Sequence, residues 1–197
     1  MLYFPEARLA YVAVPKTGGT AIESAFEHLS EVKHDFGNLK LMHMSARQIR
    51  EIYGSGVEIV GAIRHPFDWV CSKYRYLCSE IFPYNSPYSP RLIGFDRFLK
   101  RVMRGEKAWP EPHRSQIEYL DGADTIFQYE QFGLLVSYLN NRLGSSVDVP
   151  RKNVSPSVNV SVDVDVVRLV LEKFKDDNAL HKRSRFQQGV NYPTKTE

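Results

Sequence analysis

Apolar and polar residues follow two different periods along this chain, and these periods predict alternating strands and helices. Residues 9–14 form a continuous apolar run rich in β-branched and aromatic side chains, which is typical of a buried strand. A helix is predicted to begin near Thr20, because apolar residues then recur at helical spacing at Ile22, Ala25, Phe26 and Leu29. The first segment therefore predicts a strand, a glycine-containing turn and a helix.

A second strand and two more helices are predicted in the middle of the chain. The segment 45–54 predicts a helix capped by Ser45 and ended by Gly54. The apolar segment 57–63 predicts a buried strand. The helix that follows carries Pro66 in its first turn, where the missing N–H costs nothing.

The remaining segments continue the alternation. We expect a strand and loop over residues 32–45 and a helix over 95–102. A late strand over residues 124–130 precedes a helix that Gly144 ends. The segment 158–174 has period two at its start and helical spacing at its end, which indicates a loop or strand leading into a helix.

This order of elements predicts an α/β protein with a central parallel sheet flanked by helices. Strands that alternate with helices favour parallel pairing, and the helices then cover both faces of the sheet. We expect one domain over residues 1–197, since neither an internal repeat nor a linker interrupts the pattern. Ligands of such sheets bind at the carboxyl ends of strands.

Composition narrows the class of protein. The chain has 197 residues, of which 43% are hydrophobic, and no apolar run reaches the roughly 20 residues of a membrane span. The N-terminus lacks the pattern of a signal peptide, so a cytoplasmic location is expected. A net charge of +3 argues against a nucleic-acid partner. Cys71 and Cys78 are expected to be reduced thiols, since seven residues along one helix separate them by about 10 Å.

The first turn, "PKTGGT" (residues 15–20), has the composition of an anion-binding loop. Its backbone amides and the start of the next helix direct partial positive charge at one point, and Lys16 adds a full charge. Thr17 and Thr20 add hydroxyl donors. The loop is not an ordinary nucleotide P-loop, because Lys16 precedes the glycines instead of following them.

A second anion-binding element follows the second strand. Arg64 lies at the turn, and Ser72 comes eight residues later on the predicted helix. A guanidinium can bind a phosphate through two parallel hydrogen bonds, and a serine hydroxyl can bind another of its oxygens. Two such sites at neighbouring strand ends predict a ligand with two separate anionic groups.

These motifs resemble those of the sulfotransferases that use 3′-phosphoadenosine 5′-phosphosulfate (PAPS). "VPKTGGTAI" (residues 14–22) is similar to their 5′-phosphosulfate loop, and "IRHPFDWVCSKY" (residues 63–74) to their 3′-phosphate element. "TIFQYEQF" (residues 125–132) resembles a weaker third element. The likeness is greatest to carbohydrate-type and bacterial members. It implies a P-loop NTPase-like sulfotransferase fold with a central parallel sheet.

The resemblance also implies an activity and a set of site residues. The activity is transfer of a sulfuryl group from PAPS to a hydroxyl or amine of an acceptor, a carbohydrate among the candidates, leaving 3′-phosphoadenosine 5′-phosphate (PAP). Lys16 would bind the phosphosulfate and stabilise the leaving phosphate, and Tyr129 would lie near the adenine. The full set of expected cofactor contacts is Lys16, Thr17, Gly18, Gly19, Thr20, Ala21, Arg64, Ser72 and Tyr129. No metal is expected, since the chain has no clustered metal-ligand spacing.

The sequence offers more than one candidate for the general base and for the segment that binds the acceptor. His43 is the first candidate for the base, by analogy with the family and because the pKa of histidine suits the task; His34 and His113 are the alternatives. The aromatic, proline-rich segments 82–91 and 107–116 are candidates for binding an acceptor. Two other functions stay open, a P-loop nucleotide kinase and a non-catalytic adenine-nucleotide-binding module. The oligomeric state is not predicted.

Overall fold

The computed structural model describes residues 1–31, 43–79, 94–106, 115–149 and 163–184. Within these residues the chain is an α/β protein with one four-stranded mixed sheet. The strands are β1 (Leu2–Phe4), β2 (Leu9–Val12), β3 (Glu58–Ile63) and β4 (Thr125–Gln128). The predicted α/β class and three predicted strands are confirmed.

The described residues also form eight α-helices. They are α1 (Gly19–Phe26), α2 (Ala46–Tyr53), α3 (Pro66–Leu77), α4 (Gly94–Met103), α5 (Ile117–Leu120), α6 (Phe132–Leu143), α7 (Val164–Lys173) and α8 (Lys175–Ser184). Single 3₁₀ turns follow α1 at Glu27–Leu29 and β4 at Tyr129–Gln131.

The sheet has the order β1-β2-β3-β4, and its strands are parallel only in part. β2 pairs with β3 and β3 with β4 in parallel, whereas β1 pairs with β2 in antiparallel fashion. The expected parallel pairing is therefore confirmed for β2, β3 and β4, whereas β1 departs from it. Only residues 5–8 join β1 to β2, and they turn back through a hydrogen bond from the Arg8 amide to the Pro5 carbonyl at 3.0 Å. So short a connection permits only antiparallel pairing, because a parallel crossover needs a dozen or more residues.

Helices cover both faces of the sheet. Ala10 and Val12 of β2 pack on one face against α2 and α5, and Leu9 and Tyr11 pack on the other against α1 and α6. A strand buried on both faces has to be apolar at successive positions, which explains the uninterrupted run in the sequence. A third cluster joins α3, α4 and α7.

Local signals in the sequence locate the ends of several helices correctly. Ser45 caps α2, because its side chain accepts a hydrogen bond from the Gln48 amide while the Gln48 side chain bonds back to the Ser45 amide. Pro66 is the first residue of α3. Gly144 follows α6 with φ 60°, the left-handed conformation that favours glycine at a helix end.

Several other predictions fall outside the described residues. They are residues 32–42 of the expected strand and loop, which include His34, the whole of the segment 82–91, and residues 107–114, which include His113. Cys71 and Cys78 are both free thiols, as expected. None of the helices in the described residues is long and apolar enough to cross a membrane.

Candidate functional site

Three loops follow the carboxyl ends of the three parallel strands and so lie along one edge of the sheet. The first loop (residues 13–18) joins β2 to α1, and the second loop (residues 64 and 65) joins β3 to α3. The third loop (residues 129–131) is the 3₁₀ turn that begins at Tyr129 and joins β4 to α6. The ends of these strands are neighbours because Val12 is paired with Gly61 and Ile63 with Gln128. The loops that carry Lys16, Arg64 and Tyr129 therefore lie along one edge of the sheet.

The backbone of the first loop takes an uncommon course that leaves amides unpaired. Lys16 and Gly18 both have positive φ, 67° and 80°. Among the described residues, no hydrogen-bond acceptor binds the amides of Gly18, Gly19 and Thr20, which open helix α1. Amides at the start of a helix carry partial positive charge and bind anions well. These amides are therefore donors without an acceptor among the described residues, and an anion site at this loop stays a prediction.

Thr17 stabilises the first loop through its own side chain. It is fully buried, and its hydroxyl donates a hydrogen bond to the Val14 carbonyl at 2.8 Å. Its amide points to the same carbonyl at 3.4 Å. The hydroxyl that the sequence suggested as a donor to a ligand is therefore used inside the loop. Thr20 is exposed, and Ala21 is buried in the first turn of α1.

Gly18 allows the first loop to pack directly on an aromatic ring. A Cβ at this position would lie 2.6 Å from Cε2 of Phe132, at the start of α6. The Phe132 ring in turn meets Tyr129 edge-to-face, with centroids 6.1 Å apart. The loop, the start of α6 and Tyr129 therefore form one packed unit.

Lys16 extends from the first loop toward helix α3. Its side chain is partly exposed, and its Nζ lies 4.1 Å from the centroid of the Tyr76 ring. A cation over an aromatic face gains a modest attraction, which holds the ammonium in place without neutralising its charge. The Lys16 carbonyl also accepts a hydrogen bond from Nη1 of Arg64 at 3.3 Å.

Arg64 connects all three loops. Its guanidinium carbon lies 4.5 Å from the centroid of the Tyr129 ring, while Nη1 binds the Lys16 carbonyl. Its Nε is buried and makes no hydrogen bond within the part of the chain that the structure describes. An arginine carries five N–H donors, and leaving one of them buried without an acceptor is costly. The structure thus brings Lys16, Arg64 and Tyr129 together and leaves donor capacity on the arginine.

Helix α3 is tied to the first loop and carries a second guanidinium. The Trp69 Nε1 donates a hydrogen bond to the Pro15 carbonyl at 2.8 Å. Ser72 is buried on the same helix, and the Nε of Arg75, three residues later, is buried and without an acceptor among the described residues. Burial raises the pKa of the Cys71 thiol to about 11, against the opposing effects of the nearby Arg75 and Arg64. Both guanidinium groups therefore act on the Cys71 thiol, Arg64 from the loop before α3 and Arg75 from the last turn of the helix.

His43 lies beside the end of β2. Its Nδ1 is 2.9 Å from the Ala13 carbonyl, and its ring meets Tyr119 edge-to-face at 6.3 Å. A carbonyl only accepts hydrogen bonds, so we assign the ring proton to Nδ1. In the neutral ring Nε2 is then the basic nitrogen, which is the state a general base requires.

Glu130 binds the second loop. Its Oε1 accepts a hydrogen bond from the His65 amide at 2.9 Å, and its Oε2 accepts one from Nε2 of His181 at 3.0 Å. Burial acts to raise the pKa of Glu130, but the hydrogen bonds from His181 and the His65 amide outweigh it and lower the pKa to about 2. Glu130 is therefore a carboxylate that supports the loop.

Sequence reasoning missed four residues of this region. Arg75 could have been found from its position three residues after Ser72, on the same side of a helix. Gln116, Asp177 and His181 gave no signal, because they act on the second loop from distant parts of the chain. Their hydrogen bonds are visible only in the folded structure.

Comparison with known proteins returns no family model, no curated protein and no solved structure that matches this chain. Within the described residues, no group of three or more His, Cys, Asp or Glu side chains is placed to hold a metal ion. A functional conclusion therefore has to rest on the residues along the edge of the sheet.

Proposed function

We propose that this protein is a PAPS-dependent sulfotransferase with a P-loop NTPase-like fold. The observation that carries the proposal is the position of Arg64. Its guanidinium lies over the Tyr129 ring, binds the carbonyl of Lys16 and keeps a buried Nε donor without an acceptor among the described residues. A cation held in this way next to an anion loop suits a nucleotide with a second, separate phosphate.

The two loops would divide the ligand between them. The amides of Gly18, Gly19 and Thr20 and the ammonium of Lys16 would bind the 5′-phosphosulfate. Arg64 and Ser72 would bind the 3′-phosphate, with the aromatic ring of Tyr129 beside the adenine. The phosphate chain of ATP would need only the first of these sites, so the second site favours PAPS over ATP.

The chemistry follows from the same placement. The acceptor oxygen or nitrogen forms a bond to sulfur while the bond between sulfur and the 5′-phosphate oxygen breaks, and PAP leaves. Lys16 stabilises the negative charge that develops on the leaving phosphate oxygen, as in phosphoryl transfer. His43 takes the acceptor proton on Nε2, which its Nδ1 hydrogen bond to Ala13 keeps basic.

Titration calorimetry on the purified chain tests the proposal, with PAP, ADP and ATP–Mg²⁺ as ligands. We expect PAP to bind most tightly, and Arg64→Ala to weaken PAP about tenfold more than it weakens ADP, since the charge-assisted pair with the 3′-phosphate is lost for PAP alone. Arg168→Ala is the matched control, because it removes the same charge from an exposed position on α7. Equal affinity for PAP and ADP, or preference for ATP–Mg²⁺, would contradict the proposal and favour the kinase.

A second measurement separates an enzyme from a module that only binds the nucleotide. PAPS is incubated with the protein and a panel of hydroxyl and amine acceptors, and the release of PAP is followed by chromatography. We expect turnover that falls by about a hundredfold or more in Lys16→Met, the usual cost of losing a positioned donor to a leaving oxygen. PAP binding without turnover on any acceptor would indicate the non-catalytic module.

A further inference from the structure

Two side chains from distant parts of the chain hold the backbone of the second loop. The fully buried Gln116 accepts a hydrogen bond from the Arg64 amide at 2.9 Å and donates one to the Arg64 carbonyl at 2.8 Å. Glu130 accepts one from the His65 amide at 2.9 Å. Three successive polar groups of this backbone are therefore fixed by side chains.

Helix α8 binds the backbone of Gln116 and the side chain of Glu130. The carboxylate of Asp177 accepts hydrogen bonds from the amides of Gln116 and Ile117, at 2.9 and 2.8 Å. One helical turn later, His181 binds Glu130 at 3.0 Å. Residues four apart lie on the same face of a helix, so one face of α8 supports the loop at two points.

The burial of Asp177 and His181 indicates that these two side chains have a role beyond covering the sheet. Asp177 and His181 are 1% and 5% exposed. Burying a charged or polar side chain costs free energy even when its hydrogen bonds are made, and an apolar residue would cover the sheet at less cost. Asp177 instead binds the Gln116 amide, and Gln116 binds Arg64. His181 binds Glu130, and Glu130 binds the His65 amide.

We propose that α8 positions the Arg64 guanidinium, through Asp177 and Gln116 on one side and His181 and Glu130 on the other, and thereby sets selectivity for a nucleotide with a 3′-phosphate. This inference rests on the proposed function. The long side chain of Arg64 amplifies any rotation at its Cα, and a displacement of about 1 Å in a positioned site can cost on the order of a hundredfold. These four are positioning residues, since they act through Arg64.

The test compares PAP with adenosine 5′-phosphate, which differs from it only in lacking the 3′-phosphate. Both are titrated into the full chain and into Gln116→Met, which removes both hydrogen bonds to Arg64 at nearly constant volume. The selectivity ratio is the dissociation constant of adenosine 5′-phosphate divided by that of PAP. We expect this ratio to fall by about tenfold in the variant, with the affinity for adenosine 5′-phosphate unchanged. A loss of stability alone would weaken both ligands equally and leave the ratio as it was.

Asn140→Leu is the matched control. The Asn140 amide binds the amide and the carbonyl of Val147, at 2.8 and 2.9 Å, in the same way that Gln116 binds Arg64. This clamp lies at the far end of α6, so its loss is expected to leave the ratio unchanged. Glu130→Leu is the second variant, at a position that is partly exposed, and it removes the other support of the loop without depending on Gln116→Met to fold.

The outcomes separate this inference from the proposed function. A wild-type protein that binds both nucleotides equally contradicts the proposed function and the inference with it. The positioning role alone is overturned if the wild type prefers PAP and the folded Gln116→Met and Glu130→Leu variants keep the same preference. A reduced ratio in these variants but not in Asn140→Leu supports it.

Discussion

The first and second loops lie side by side at the edge of the sheet, yet different parts of the chain hold them. The first loop makes a hydrogen bond of its own, from Thr17 to the Val14 carbonyl, and turns through the positive φ of Lys16 and Gly18. Distant side chains add to this internal closure, since His43, Trp69 and Arg64 bind three of its carbonyls. The second loop has its backbone bound by Gln116 and Glu130, which lie 52 and 65 residues away along the chain.

The comparison shows that two adjacent loops can have their backbones held by different kinds of contact. A loop closed by neighbours in sequence needs little beyond its own composition, since the entropy cost of closing it is small. The second loop obtains its order only after β4, α5 and α8 have assembled. We therefore expect changes in α8 to affect the function of Arg64 more than that of the first loop.

Gly18→Ala is expected to have the largest effect and to break the first loop. A non-glycine residue in this left-handed conformation costs about 1–2 kcal/mol, and the new Cβ would also overlap the Phe132 ring. Urea unfolding measures the total loss. Gly144→Ala is the matched control, because its φ of 60° is also left-handed but no atom lies within 4 Å of the new Cβ. Equal losses for the two variants would show that the contact with Phe132 contributes nothing.

Trp69→Phe is expected to weaken the link between the first loop and helix α3. It removes the indole donor to the Pro15 carbonyl and leaves a small void in a fully buried position. We expect a loss of about 2 kcal/mol in the free energy of unfolding, from the unpaired carbonyl and the void together. Urea unfolding measures this loss, and PAP titration on the same samples measures any change in affinity. A variant as stable as the wild type would mean that the link carries no energy.

Thr17→Val sharpens the comparison by removing the internal hydrogen bond of the first loop at constant shape. We expect a loss of about 1 kcal/mol in the free energy of unfolding, because the buried Val14 carbonyl loses its best donor. Thr17→Ser keeps the hydroxyl and is expected to retain the hydrogen bond. Thermal unfolding of both variants decides the matter, and a Thr17→Val protein at least as stable as Thr17→Ser would contradict a locally held loop.

Glu130→Gln is expected to have the smallest effect, and one that depends on pH. Hydrogen bonds lower the pKa of Glu130 in the folded chain from 4.5 to about 2. The carboxylate therefore contributes stability above pH 4.5, and that contribution is lost as the pH falls toward 2. The difference in stability between wild type and variant is expected to shrink over this range. Urea unfolding at several pH values measures it, and a constant difference would contradict the role assigned to this carboxylate.

Much of the fold was predictable from particular residues. The apolar run at 9–14 became β2 (Leu9–Val12), and the capping signals at Ser45, Pro66 and Gly144 mark real helix ends. The direction of β1 was missed because the prediction did not include this short strand or the four-residue turn after it. His181 stands in a basic stretch of sequence, yet its side chain is buried within α8.

The sequence by itself determined the order of strands and helices and the composition of the two loops, because hydrophobic period, capping residues and glycines act on their near neighbours. Only the tertiary structure decided that Arg64 stacks on Tyr129, that Lys16 accepts its hydrogen bond, and that Gln116 and Asp177 support it. These contacts join residues up to 65 positions apart. The packing of α8 and β4 beside β3 determines which residues make these contacts. A local pattern of residues does not contain that information.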